Sequence, residues 1–149
     1  MSDVLSAEQR KRNMSRIRAK NTRPEIYIRK LLFSRGFRFR LHRKDLPGNP
    51  DIVLPKWKVV LFVNGCFWHR HLCDSFRWPK SNERFWREKL LGNYRRDVRN
   101  VEALEACGWR IAVIWECAIK SLSTNDTMKL GDTLEEFIRS NNNRLEIPS

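Results

Sequence analysis

The chain of 149 residues is long enough for one domain with its own core, and 41% hydrophobic content with six tryptophans excludes a disordered polymer. Thirty Lys and Arg against 17 Asp and Glu leave a formal net charge of +13, which points to a polyanionic partner and to nucleic acid ahead of a membrane surface. Met1 is followed by polar and basic residues, without a signal-peptide pattern, and no apolar run could span a bilayer. The expectation is a cytoplasmic protein whose thiols stay reduced, so metal binding outranks disulfides for its four cysteines.

The first basic concentration is an arm over 1–20, where Arg10, Lys11, Arg12, Arg16, Arg18 and Lys20 face only Asp3 and Glu8, while Met14 and Ile17 supply a small apolar face. Such an arm is expected to order along phosphates or in a groove when DNA is present. Thr22-Arg23-Pro24-Glu25 then combines an N-cap threonine, proline at the first helical position and glutamate three residues after the cap, predicting a helix to about Ser34, ahead of Gly36. Phe37 to Leu41 alternates as a half-buried strand, and the turn-rich Leu46-Pro47-Gly48-Asn49-Pro50 leads to a second strand with Asp51 at its mouth. Pro55 to Lys58 reads as a hairpin connection, and Val59 to Val63 is apolar enough for a central strand ended by Asn64-Gly65.

Further along, Ser81 is placed to cap a long helix to about Ala106, followed by a strand from Trp109 to Trp115. Residues 121–132 read as a loop and Thr133 to Ser140 as an amphipathic helix. No repeat or break divides the chain, so 21–140 is expected as a single domain and 141–149 as a flexible tail. A second basic set, Arg70, Arg77, Lys80, Arg84, Arg87, Lys89, Arg95, Arg96 and Arg99, is interleaved with Phe76, Trp78, Phe85, Trp86 and Tyr94, a mixture in which charge meets backbone and rings meet bases.

The stretch Gly65-Cys66-Phe67-Trp68-His69-Arg70-His71-Leu72-Cys73 crowds thiols, imidazoles and aromatics into one loop. Cys66, His71 and Cys73 are close enough in sequence to fill three corners of a zinc tetrahedron, with His69 as the alternative imidazole. Cys107 follows Val101 and Leu104 at helical spacing and reads as a small core residue, whereas Cys117 lies just past an apolar strand and is the preferred fourth ligand. Trp57, Trp109 and Trp115 flank or occupy strands and are expected in the core. Adjacent Phe67 and Trp68 cannot both face inward from an extended loop, which favours a wedge between bases; Trp86 is balanced between wedge and core.

Met14, Glu25, Leu46-Pro47-Gly48 with Pro50-Asp51, Gly65 to His69, His71, Cys73, Phe85-Trp86 and Trp115-Glu116-Cys117, in that order, resemble the very-short-patch repair (Vsr) DNA mismatch endonucleases over about Ser6 to Arg139. The resemblance implies an α/β fold with a restriction-endonuclease-like core, a mixed central sheet flanked by helices and a structural zinc site. It also implies a monomer that nicks one strand of double-stranded DNA beside the thymine of a G:T mismatch, working near the nucleoid of a bacterium alongside cytosine methyltransferases and mismatch-repair proteins. By position, Asp51 and the main-chain carbonyl of Val63 would hold catalytic Mg2+, His69 would be the general base, and Cys66, His71, Cys73 and Cys117 would bind structural Zn2+. Phe67, Trp68 and Trp86 would enter the duplex, with Met14, Arg12 and Arg16 among the DNA contacts.

The chemistry also stands on the residue types. A carboxylate-held magnesium stabilises charge on phosphorus, and imidazole, whose ordinary pKa is about 6.5, is suited to take a proton from water. Asp51 could equally be a turn carboxylate, and Glu25 either completes a capping box or orients a water or His69. His42, between basic neighbours, reads as exposed or phosphate-facing. The strand after Pro50-Asp51 is followed by Phe62-Val63-Asn64, which lacks the acid and lysine common in such nucleases, and Asn64 stands where the family resemblance leads one to expect a histidine. Asparagine cannot donate a full proton to a leaving oxygen. Two rivals therefore stay open: a nuclease of the same fold with broader mismatch choice or double-strand cleavage, and a non-catalytic zinc module that binds distorted DNA.

Overall fold

The computed structural model describes residues 22–73, 76–120 and 122–148. The basic arm, with Arg12, Met14 and Arg16, lies outside the described residues. Helix α1 spans Arg23–Ser34, with the Thr22 hydroxyl accepting from the Glu25 amide at 3.4 Å and proline in the first turn, as the cap pattern dictates. Its inward face carries Ile28 and Leu32 one turn apart, together with Glu25.

Five strands follow, in spatial order β1-β2-β3-β4-β5: Arg40–Leu41, Ile52–Leu54, Val59–Asn64, Arg110–Trp115 and Arg144–Ile147. The first three are antiparallel neighbours, with Ile52 opposite Leu61; β3, β4 and β5 run parallel, with Val60 opposite Ile111 and Ala112 opposite Leu145. Parallel neighbours need long crossovers. Helix α2, Glu83–Ala106, lies between β3 and β4, and α3, Thr124–Arg139, between β4 and β5. The result is a mixed α/β domain with a five-stranded sheet and three helices among the described residues, none of them long and apolar enough to cross a membrane.

Ile28, Leu32, Leu54, Leu61, Ile114, Leu134 and Ile138 join α1 and α3 to one face of the sheet. Val53, Val60, Leu104, Trp109 and Ile111 join α2 to the other. Because both faces are covered, β2, β3 and β4 read as continuous apolar runs rather than alternating ones. Trp109 and Trp115 are buried and Trp57 packs against the first cluster, in keeping with a core role.

Several local expectations are corrected. The strand predicted from Phe37 shrinks to Arg40–Leu41, because only those two residues pair with β2. Helix α2 begins at Glu83 after Asn82, which is left-handed and forms no side-chain cap bond, so Ser81 is not the cap. Cys107 is exposed: it is the C-cap residue, one step past the helix, while Leu104 takes the buried position.

The loop expected over 121–132 contains the first half of α3. Ser123 and Asp126 form a reciprocal capping box there, and Leu130, Leu134, Phe137 and Ile138 make the buried stripe. Gly131 obscured it, and this glycine leaves room for Arg35, whose side chain would have to shift from a Cβ placed 2.4 Å from its Nε. The supposed tail at 141–149 includes β5, whose alternating exposure marks a half-buried edge strand. It is tied down by Arg144 to Glu105 at 2.5 Å and Trp115 Nε1 to Glu146 at 2.7 Å.

Candidate active site and thiol centre

Antiparallel pairing of β2 with β3 sets Asp51 beside the C-terminal end of β3, the end where parallel β4 also finishes. Topology thus brings Asp51, Val63, Asn64 and the residues after Trp115 to one rim of the sheet. The Val63 amide donates to Asp51 Oδ2 at 2.8 Å. Burial pushes the Asp51 carboxyl up to about 6, against the pull of that amide, of His69 and of Arg29. A carboxylate kept out of water in this way gains from a cation.

The Gly65 to Cys73 loop folds over the same rim. His69 N bonds Gly65 O, Arg70 N bonds Phe67 O, and His71 N bonds Cys66 O at 2.8 Å. Arg70 takes the left-handed conformation, φ 50°, and the two histidines around it go separate ways. His69 Nδ1 lies 2.6 Å from Asp97 Oδ2 on α2. With Nδ1–H donated to that carboxylate, the lone pair sits on Nε2, the arrangement a proton acceptor needs. Buried Asn64, 9% exposed, lines a cavity of about 360 Å3 together with His69 and Asp97.

His71 turns to the thiols. The ligand atoms of Cys66, His71, Cys73 and Cys117 all lie within 4.8 Å of one another, Cys117 Sγ being 3.6 Å from His71 Nδ1. The His71 ring stacks on Trp115 at 4.2 Å with an interplanar angle of 5°. Burial, with the neighbouring cysteines, pushes the Cys66 thiol up to about 12, and burial also raises Cys117. Three sulfurs and one imidazole around a point are the donor set of a closed tetrahedral zinc site, and an ion there would make thiolates favourable where burial alone opposes them. His69 is not in this group, so the alternative ligand set is not the one the fold assembles.

Glu25 departs from its bland explanation. It is 1% exposed, and its carboxylate faces Arg29 one turn on and His42 Nε2 at 2.8 Å. His42, expected to be exposed or phosphate-facing, is instead half-buried; its amide bonds the Asp51 carbonyl at 3.2 Å and its φ is 50°. Glu25, His42 and Asp51 form a second group of potential ligands whose atoms lie within 4.8 Å of one another.

Phe67, Trp68 and Trp86 form one half-buried aromatic cluster with ring centroids 5.2, 5.5 and 5.9 Å apart. Neighbouring Phe85 is 57% exposed and Leu72 65%. Asn93 donates to the Trp68 carbonyl at 3.0 Å and Arg70 stacks on Tyr94, pinning the loop to α2. Arg77, Lys80, Arg84, Arg87, Lys89, Arg95, Arg96 and Arg99 are exposed, and Arg87 stacks on Trp78 at 4.3 Å.

Asp97 and His42 were missed by sequence reasoning. Asp97 sits in a helix dense in charge and shows no spacing signal, although a lone acid among Arg95, Arg96 and Arg99 was a clue. His42 has none, because its neighbours in the site arrive from α1 and from β2.

The family description "DNA mismatch endonuclease Vsr" matches residues 2–75. The type II nicking enzyme V.XorIIP of Xanthomonas oryzae pv. oryzae is 54% identical over 82% of this chain and 90% of its own length. The type II nicking enzyme V.NmeAIP of Neisseria meningitidis is 45% identical over 81% of this chain and 86% of its own. The DNA mismatch endonuclease Vsr of Escherichia coli K12 is 38% identical over 93% of this chain and 88% of its own. On these matches, the chain belongs to the Vsr DNA mismatch endonuclease family.

Proposed function

We propose that the protein is a monomeric DNA nicking endonuclease that cuts one strand beside the thymine of a G:T mismatch, using Mg2+ for catalysis and Zn2+ for structure, on a restriction-endonuclease-like core. The family's endonuclease and nicking relatives support this reading. One observation carries it: an enclosed carboxylate, Asp51, stands within electrostatic reach of a histidine that Asp97 orients and that the thiol centre leaves free.

Asp51, with the Val63 carbonyl, would hold the magnesium, which when bound draws off charge from the scissile phosphate and orients the attacking water. The chain's own residues do the rest. His69 Nε2 takes the proton from water, and Asp97 steadies the imidazolium that results. Asn64, in the same cavity, offers only an amide hydrogen to the leaving oxygen, so turnover leans more heavily on His69. Phe67, Trp68 and Trp86 enter the stack beside the mispair, where unstacking costs least, while the exposed arginines and lysines hold phosphates, with Arg12, Met14 and Arg16 as further DNA contacts. Cys66, His71, Cys73 and Cys117 would hold zinc, fixing the base of the loop that carries His69. Mismatch-repair proteins are the expected partners, in the cytoplasm beside the nucleoid.

The test uses purified protein, magnesium and end-labelled duplexes that are matched or carry a single G:T pair. The expected result is a nick beside thymine in the mispaired duplex only, lost in Asp51→Ala while DNA binding persists. Cutting of other mismatches or of both strands would favour the broader nuclease, and binding without cleavage the non-catalytic module that Asn64 keeps in play.

A further inference from the structure

We infer that His42 is a ligand in the catalytic metal pocket and that the resulting set, Glu25, His42 and Asp51, selects a transition-series divalent ion such as Mn2+ over Mg2+. This rests on the proposed reading of Asp51 as the metal-binding carboxylate. It adds an imidazole to a site otherwise built from oxygen.

The three groups come from separate parts of the fold. Glu25 projects from α1, Asp51 stands before β2, and His42 follows β1 with its amide on the Asp51 carbonyl, so the left-handed turn at His42 carries the ring to the two carboxylates. All three ligand atoms lie within 4.8 Å of one another, and Glu25 is buried. Two carboxylates enclosed so closely repel each other unless a cation sits between them.

Arg29 shows where that cation belongs. One of its terminal nitrogens, Nη2, touches Glu25 Oε2 and also lies 3.3 Å from His42 Nε2. The Glu25 carboxylate can only accept, so in the 2.8 Å contact His42 Nε2–H donates to Glu25 Oε2. A bound ion would take the place of that proton on the neutral ring. Arg29, on the same Glu25 oxygen, competes with the ion for the position between Glu25 and His42.

Magnesium prefers oxygen donors and releases its waters reluctantly, whereas first-row transition ions accept imidazole readily. The two ligand-site substitutions should therefore act in opposite directions. His42→Gln removes the nitrogen donor while keeping a polar side chain, and Arg29→Met removes the competing charge while keeping apolar length.

The experiment is Mn2+ titration of the zinc-loaded protein without DNA, followed by electron paramagnetic resonance, with Mg2+ as competitor and pulsed spectra to detect a coordinated nitrogen. Wild type should bind Mn2+ about tenfold or more tightly than Mg2+ and show nitrogen modulation. His42→Gln should lose both the preference and the modulation, and Arg29→Met should bind Mn2+ more tightly than wild type. A wild type without nitrogen modulation, a His42→Gln protein with unchanged Mn2+ affinity, or an Arg29→Met protein that binds no better would each overturn the assignment. Nicking of a G:T duplex with Mg2+ alone is scored separately, so loss of the His42 assignment leaves the nuclease reading standing, and the reverse is equally visible.

Discussion

Two ligand clusters share one rim of the sheet and are built in opposite ways. The thiol centre takes three of its four groups, Cys66, His71 and Cys73, from a single loop and only Cys117 from beyond β4. The acid–imidazole centre takes Glu25 from α1, His42 from after β1, Asp51 from before β2, His69 from the loop and Asp97 from α2. A cluster closed by local spacing can be read from sequence and can organise its own loop. One closed by topology exists only once the sheet has formed, and its groups carry the cost of being buried together.

The comparison breaks most visibly if the thiols are removed. Cys73→Ser or Cys117→Ser should lose close to one equivalent of zinc and with it the cooperative unfolding transition, because binding energy at a structural zinc site, about 10 kcal/mol or more, is folding energy. Cys107→Ser, at the exposed helix end, should keep both. Metal analysis beside thermal unfolding reads the outcome, and a Cys117→Ser protein that retained zinc and fold would show that the loop does not need its distant ligand.

At the other centre, loss of one group should spare the fold and damage chemistry. Asp97→Asn should slow single-turnover nicking by about a thousandfold, some 4 kcal/mol in barrier, through loss of the carboxylate that orients and stabilises His69. DNA affinity and zinc content should not change. A rate within a few fold of wild type would make the 2.6 Å contact an ordinary surface pair.

A smaller effect sharpens the idea that the acid–imidazole centre is costly to build. Burial raises the folded-state pKa of Asp51 from 3.8 to about 6, so its contribution to stability is complete below pH 3.8 and is lost as pH rises through about 6. Without added magnesium, Asp51→Asn should therefore stabilise the protein at pH 7 by up to about 3 kcal/mol, and the gain should vanish near pH 4. Denaturant unfolding at the two pH values measures it. A variant less stable than wild type at pH 7 would mean that the Asp51 charge is already compensated in the fold.

What could be read in advance follows the same division. The Thr22 to Glu25 cap pattern and the apolar runs of β2, β3 and β4 gave their elements because local chemistry and burial agree there. The four thiol-centre residues were legible because ligand spacing is itself a signal. Helix α3 was half hidden because Gly131 argues against a helix locally and for one only when Arg35 is seen packed on it. His42 was hidden entirely and Asp97 nearly so, each a polar residue among charges, with partners 17 and 28 positions away.

The most direct test of the account is the single-turnover rate of His69→Ala on a G:T duplex with magnesium, with zinc content and DNA affinity measured on the same preparation. Full zinc, unimpaired binding and no detectable nick beside the thymine are the expected result. Retained cleavage by that variant would contradict it, since the imidazole held by Asp97 would then not be the group that takes the proton from water.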